Sequence, residues 1–289
     1  MENKIDIKSL NRGASKKQFP ISNRIAVIAA VTLSLVVMIS CIFCFKAVLP
    51  GKWGTGIRWQ YVQRLFFVLL PLCMMLFLRR PPSLYGLSLS RMPREMGIGL
   101  AIAVWLIGMT FLFGVLFHGF TWALKSMDFR ISHVVSNLVF AGFCEELLYR
   151  GYCQGELNRV FARPFAMGRT RYGWPVFLAA AMFALVHMFG QFNPLEGRWR
   201  LDLLPLLYTF PAGIAFGIAR EHFNGILSVA LIHGGSNLAF GLYDSLETKI
   251  VAEAAFWLVC VYIYRRATRE VSSIEPSVTK AGTDPATDR

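Results

Sequence analysis

Charge is what this sequence has least of. Only 16% of its 289 residues are charged, against about 25% in an ordinary soluble domain. Hydrophobic residues make up 55%, and the mean hydropathy is +0.48. That composition excludes a soluble domain of usual makeup and places the chain among polytopic membrane proteins. Sustained apolar/polar alternation is missing too, which excludes a membrane barrel and leaves helices. Internal repeats and low-complexity tracts are absent. The net charge of +13 comes without any RNA- or DNA-binding motif, so nucleic acid is not an expected partner. H-E-x-x-H is missing, as is a serine-nucleophile elbow. "GKWGTG" follows no strand, so it is a loop and not a phosphate cradle. Cys41 and Cys44 have C-x-x-C spacing but sit in the middle of an apolar run, where small packing residues are the expected role.

What is present is a succession of apolar runs. Residues 25–45 carry no charge and are long enough to cross about 30 Å of hydrocarbon. The run is too long for a signal-peptide core, so it reads as a retained anchor. Further spans centre on 65–78, 97–117, 134–153, 174–190, 203–219, 224–242 and 251–264. The expected fold class is therefore an all-α polytopic membrane protein of eight transmembrane helices with a polar intramembrane cavity. With the N-terminus on the cytoplasmic side, 21 of the 30 Lys and Arg fall on that side, as the positive-inside rule requires. The expected organisation is a basic cytoplasmic leader over 1–23, a membrane domain over 24–266 and a disordered cytoplasmic tail over 267–289. "ELNRVFARPFAMGR", from Glu156, reads as a short helix lying in the cytoplasmic interface. "GIAFG", Gly213 to Gly217, has the spacing that permits close helix packing.

Against this background "CEELLYRGY", residues 144–152, stands out. An ionisable residue near the bilayer centre costs on the order of 2.5–3.5 kcal/mol, and this span carries three. Glu146 and Arg150 lie four apart and can pair on one helix face. Glu145 is rotated by about 100° and has no basic residue one turn away, so another helix must supply its partner. The candidates are His187 in "FALVH", His233 in "LIHGGSNLAF", and Asn237 one turn beyond His233. His118 and His133 sit on the outer side, and His222 reads as a solvated residue of a cytoplasmic turn.

Ser236 shares the His233 face poorly, and Cys144 has no basic partner of its own. Two histidines and Glu145 could ligate zinc, although no cofactor is required. The remaining chemistry is direct acid–base hydrolysis. A glutamate in a dry cavity can serve as a general base near neutral pH and activate water against a peptide carbonyl. Buried Glu and His also build proton relays, so a proton-coupled carrier is the rival from another class; no paired, discontinuous halves are visible.

"EELLYR", "FALVH" and "HGGSN" resemble, in order, the E-E-x-x-x-R, F-x-x-x-H and H-x-x-x-N motifs of the CPBP family. That family contains the type II CAAX prenyl endopeptidases and bacterial proteins of bacteriocin processing and immunity. The resemblance covers about 134–240; Tyr149 stands where many members have Phe. It implies an intramembrane glutamic endopeptidase whose cavity opens to the cytoplasm; the charge bias adds that both termini are cytoplasmic, and the expected location is a bacterial cytoplasmic membrane. Glu145 would be the base, His187 would hold the water, and His233 with Asn237 would donate to the oxyanion. Gly234 and Gly235 would leave room for substrate, a membrane-associated or lipid-modified peptide or protein. The alternative is a non-catalytic immunity or scaffold protein of the same fold.

Overall fold

The computed structural model describes residues 19–48, 57–88, 90, 92–120, 134–167, 170–188, 201–242 and 245–272. Most of the leader, the "GKWGTG" loop, His133 and the tail from 273 lie outside them. The apolar runs form eight helices among the described residues: α1 (Ile21–Val48), α2 (Ile57–Phe77), α3 (Met92–His118), α4 (134–160), α5 (Trp174–Met188), α6 (Leu204–Phe223), α7 (Leu227–Phe240) and α8 (Leu246–Ser272). Two of them, Ile21–Phe45 within α1 and all of α3, are long and apolar enough to cross a membrane. α1 buries Val31, Leu35, Met38 and Ile42, a stripe spaced by four, three and four, while Leu33, Val36 and Val37 stay exposed. An apolar residue on every face is what a helix needs when lipid, not water, surrounds it.

α4 is the centre of the structure. Its backbone is π-helical over Ser136–Cys144 and Leu147–Cys153, with α-helical turns at Glu145–Glu146 and Gln154–Val160. α7 crosses α4 where a Cβ on Gly142 would overlap the Ala230 carbonyl and one on Gly234 would lie 2.7 Å from the Leu138 Cα. On the opposite side, a Cβ on Gly235 would meet Ala103 of α3 at 2.5 Å. Gly234 and Gly235 therefore leave no room for substrate, contrary to expectation. α4 and α3 fill the space on either side of them.

Contact registers fix helix directions. Ala180 and Val176 of α5 meet Gly213 and Gly217 of α6 in reverse order, so these helices are antiparallel, and "GIAFG" does serve close packing. α2 and α4 run parallel, because Phe67 meets Tyr149 and Arg80 meets Glu156 in the same order. α4 and α6 are also parallel: Arg150 donates to the Gly213 carbonyl, Gln154 to the Gly217 carbonyl and Asn158 to the Glu221 carboxylate. α1, α3, α5 and α7 run the other way.

The expected interfacial helix does not form. α4 continues to Val160, and Phe161 is already extended at φ −100°, ψ 139°. Pro164 disfavours helix at Arg163. The chain instead makes a two-stranded antiparallel hairpin, Phe165–Met167 with Thr170–Tyr172. The ring of Phe165 packs against Tyr172, Trp174 and Phe177. His222 is only partly solvated: it is half-buried, and its Nδ1 lies 3.0 Å from the Thr170 hydroxyl.

Glu221 lies just beyond the apolar part of α6. Burial works against its charge, but Arg220 first, then Arg163, with amide donors from Asn158 and Gln154, hold its carboxyl below the ordinary value. A depressed folded-state value stabilises the protein above the unfolded carboxyl pKa of about 4.3. That contribution disappears as pH falls through the folded value. The melting-temperature gap between wild type and Glu221→Gln should be full at neutral pH and close below about pH 4. A gap that is constant with pH would show that the charge contributes nothing.

Candidate functional site

The three charges of the opening stretch divide between two sides of α4. Glu146 and Arg150 are both 0% exposed, and Arg150 Nη1 donates to Glu146 Oε1 at 3.0 Å. The guanidinium also donates to the Gly213 carbonyl at 3.2 Å and lies over the rings of Phe183, at 4.4 Å, and Phe216, at 5.3 Å. A buried cation is tolerable when charge, carbonyl and π-faces surround it.

His233 joins this pair. Its Nδ1 lies 2.8 Å from the same Glu146 Oε1. A carboxylate oxygen only accepts, so Nδ1 carries the hydrogen, leaving Nε2 as the free ring nitrogen. Phe216 stacks on the imidazole at 4.9 Å, and the Phe183 edge meets it at 5.8 Å. His187 is anchored on its own helix: Nδ1 donates to the Phe183 carbonyl at 2.8 Å, and the ring packs on Phe183 at 4.5 Å. Here too the free nitrogen is Nε2. Asn237 is half-buried one turn beyond His233.

Glu145 points the other way. It is 6% exposed and forms an ion pair with Arg64 of α2. The partner required from another helix is thus an arginine; among the described residues no hydrogen bond or ion pair joins Glu145 to His187, His233 or Asn237. The sequence carries the signal in plain view. Arg64 is the one charge in the apolar stretch 63–77, and Glu145 was the one carboxylate left without a partner. Phe183 is the second residue whose part sequence reasoning missed. Arg150, His187, His233 and Tyr149 all lie against its ring. It is therefore the platform that brings the motif residues of α4, α5 and α7 to one place.

Zinc does not suit this arrangement. Glu145 and His233 are engaged by separate partners, and among the described residues no three His, Cys, Asp or Glu side chains gather as a ligand set. Cys41 and Cys44 are both exposed and unbridged. An apolar cavity of about 210 Å³ lies behind the site, walled by Ile214 and Ile218 of α6, Trp257 and Ile263 of α8 and, on its inner side, Phe216.

Residues 127–239 match the family model of type II CAAX prenyl endopeptidases, Rce1-like, which is consistent with the resemblance seen in the three motifs. The match covers the elements that carry Glu145, His187, His233 and Asn237, and less than half of the chain. With the apolar helices α1 and α3, it supports an integral membrane protein of the protease kind, acting on peptide substrates in a bilayer. No curated protein and no solved structure matches the chain.

Removing one partner of a buried ion pair leaves the other charge stranded, at roughly 3–5 kcal/mol. Arg150→Met should destabilise the protein by that order in a detergent unfolding titration. Glu146→Gln combined with Arg150→Met should cost less than the sum of the single changes. Strict additivity would show that the two groups do not stabilise each other.

Proposed function

We propose, on the premise of that family match, that the chain is an intramembrane endopeptidase. It would hydrolyse a peptide bond in a membrane-associated or lipid-modified substrate with water activated by Glu145. The observation that supports this most directly is the division of the two carboxylates. Glu146 is fully enclosed, with Arg150 and His233 both on its Oε1, whereas Glu145 keeps 6% exposure beside its pair with Arg64 on α2. In the proposed step a water O–H proton passes to Glu145. The water oxygen bonds to the carbonyl carbon, and the carbonyl π-pair becomes an oxyanion. His187, with Nδ1 tied to its own helix, presents Nε2 as an acceptor that can hold the water.

The oxyanion would be met by Asn237 and His233. The Nδ1 hydrogen of His233 already belongs to Glu146, so Nε2 can donate only when the ring is doubly protonated. Glu146 stands where it would stabilise that cation. Asn237 is then the neutral donor of the pair. Fixed donors of this kind matter most where water is excluded.

The supporting architecture in this reading is eight spans over 24–266, with the leader 1–23 and the tail 267–289 in the cytoplasm. Alternating helix directions support it. Single-cysteine labelling in a cysteine-free background should find positions near 85, 165 and 222 accessible from the cytoplasmic side. Positions near 55, 125 and 195 should be accessible only from outside; the reverse pattern would overturn the orientation.

The same geometry also favours one rival. An Arg64–Glu145 pair could be purely structural in a non-catalytic protein of this fold, acting as an immunity or scaffold partner. Comparative terminal proteomics of cells carrying wild type or Glu145→Gln separates the readings. Cleavages lost in Glu145→Gln, with the protein still folded, are expected; identical peptide sets would sink the protease reading. With a peptide that spans a lost cleavage as substrate, Asn237→Ala should lower kcat by about 10²–10³ with little change in KM. A large loss of thermal stability with kcat preserved would make Asn237 structural.

A further inference from the structure

Arg64 is a cation facing inward from an apolar helix. Its Nη1 is enclosed against Glu145, and among the described residues that carboxylate is its one ion-pair partner. The side chain as a whole keeps 20% of its surface exposed, so the guanidinium has open surface beyond Nη1. It also carries more N–H donors than one carboxylate oxygen uses. The other arginine–glutamate pair of this site, Arg150 with Glu146, is shut in completely; this one is not.

The reaction proposed for Glu145 makes a demand on this arginine. When the carboxylate takes a proton from water, Arg64 loses its anion. A cation left without a partner in so dry a place is strongly unfavourable. The same step creates a new anion, because the carbonyl pair becomes an oxyanion beside the attacking water. The donors assigned to that oxyanion bring no free charge of their own. The Nδ1 hydrogen of His233 is given to Glu146 at 2.8 Å, and the amide of Asn237 is neutral. Among the described residues neither is hydrogen-bonded or ion-paired to Glu145, whereas Arg64 is in direct contact with it.

We propose that Arg64 is a further catalytic residue, whose guanidinium passes from the Glu145 carboxylate to the oxyanion as the proton moves. This rests on Glu145 being the base. In the step a water O–H bond breaks and its proton joins Glu145. The water oxygen bonds to the carbonyl carbon, and the oxyanion accepts an N–H from Arg64. On collapse the carbonyl re-forms, the C–N bond breaks, and the amine leaves with the proton held by Glu145. The carboxylate is then charged again and takes the guanidinium back. Arg64 faces one negative charge throughout, so no stage of the reaction strands it.

The test uses the full chain in lipid nanodiscs and two ligands made from a peptide whose cleavage is lost in Glu145→Gln cells. One is the peptide itself. The other carries a phosphinate in place of the scissile amide, an anionic mimic of the tetrahedral intermediate. Glu145→Gln, which binds without cleaving, is compared with Glu145→Gln combined with Arg64→Gln. The double change removes both charges of the pair, so neither is stranded. Adding Arg64→Gln should weaken phosphinate binding by about 10²–10³ and leave peptide binding unchanged. Equal phosphinate affinities, or the same loss for both ligands, overturn the proposal. In turnover, Arg64→Gln alone should lower kcat by a similar factor with KM unchanged; full kcat overturns the proposal. If Glu145→Gln is inert while Arg64→Gln is fully active, only Arg64 has been misassigned. If Glu145→Gln turns over at the wild-type rate, the base itself is wrong, and the role of Arg64 falls with it.

Discussion

The pair formed by Glu146 and Arg150 is shut off from water completely, and much of the polar interior is arranged around it. Two charges in a dry interior are unfavourable unless close geometry and further hydrogen bonds compensate them. Here the compensation comes from three other helices. α6 supplies the Gly213 carbonyl and the face of Phe216, α5 supplies the face of Phe183, and α7 supplies the Nδ1 hydrogen of His233. Each contact also positions the group that makes it, so solvating the ion pair with protein groups brings α5, α6 and α7 to α4 at defined places.

Adjacent glutamates would ordinarily repel. α4 separates them by rotation. Glu146 faces α6 and α7, Glu145 faces α2, and each has its own arginine. The π-helical turns that flank this dipeptide on both sides are a backbone form that is rare overall and frequent at functional sites. One carboxylate is thus built in among α4, α6 and α7, while its neighbour is paired on the α2 side.

Much of this was legible from residue spacing. Eight apolar runs became eight helices, and the four-residue step from Glu146 to Arg150 became a hydrogen bond. What escaped were properties that depend on which helices meet. Charge pairing between α2 and α4 could be guessed only by matching two orphans, Arg64 and Glu145. The π-helical winding leaves no trace in composition. Gly234 and Gly235 read as open space because a glycine shows where a side chain is missing, not what occupies its place. The hairpin at 165–172 was hidden by mixed apolar and basic residues that suit an interfacial helix as well as a short sheet. Pro164 was the overlooked sign.

The three rungs between α4 and α6 all have one offset. Arg150, Gln154 and Asn158 meet positions 213, 217 and 221, so each step of four on one helix is a step of four on the other. The two helices therefore mesh like racks cut to one pitch. A residue inserted between Arg150 and Asn158, or between Gly213 and Glu221, would turn the following rungs by about 100° and unseat them together. Length changes in natural variants of this chain should thus collect in the connections, such as the hairpin turn and the segment between α5 and α6. The two meshed stretches should keep their residue count even where their residues change.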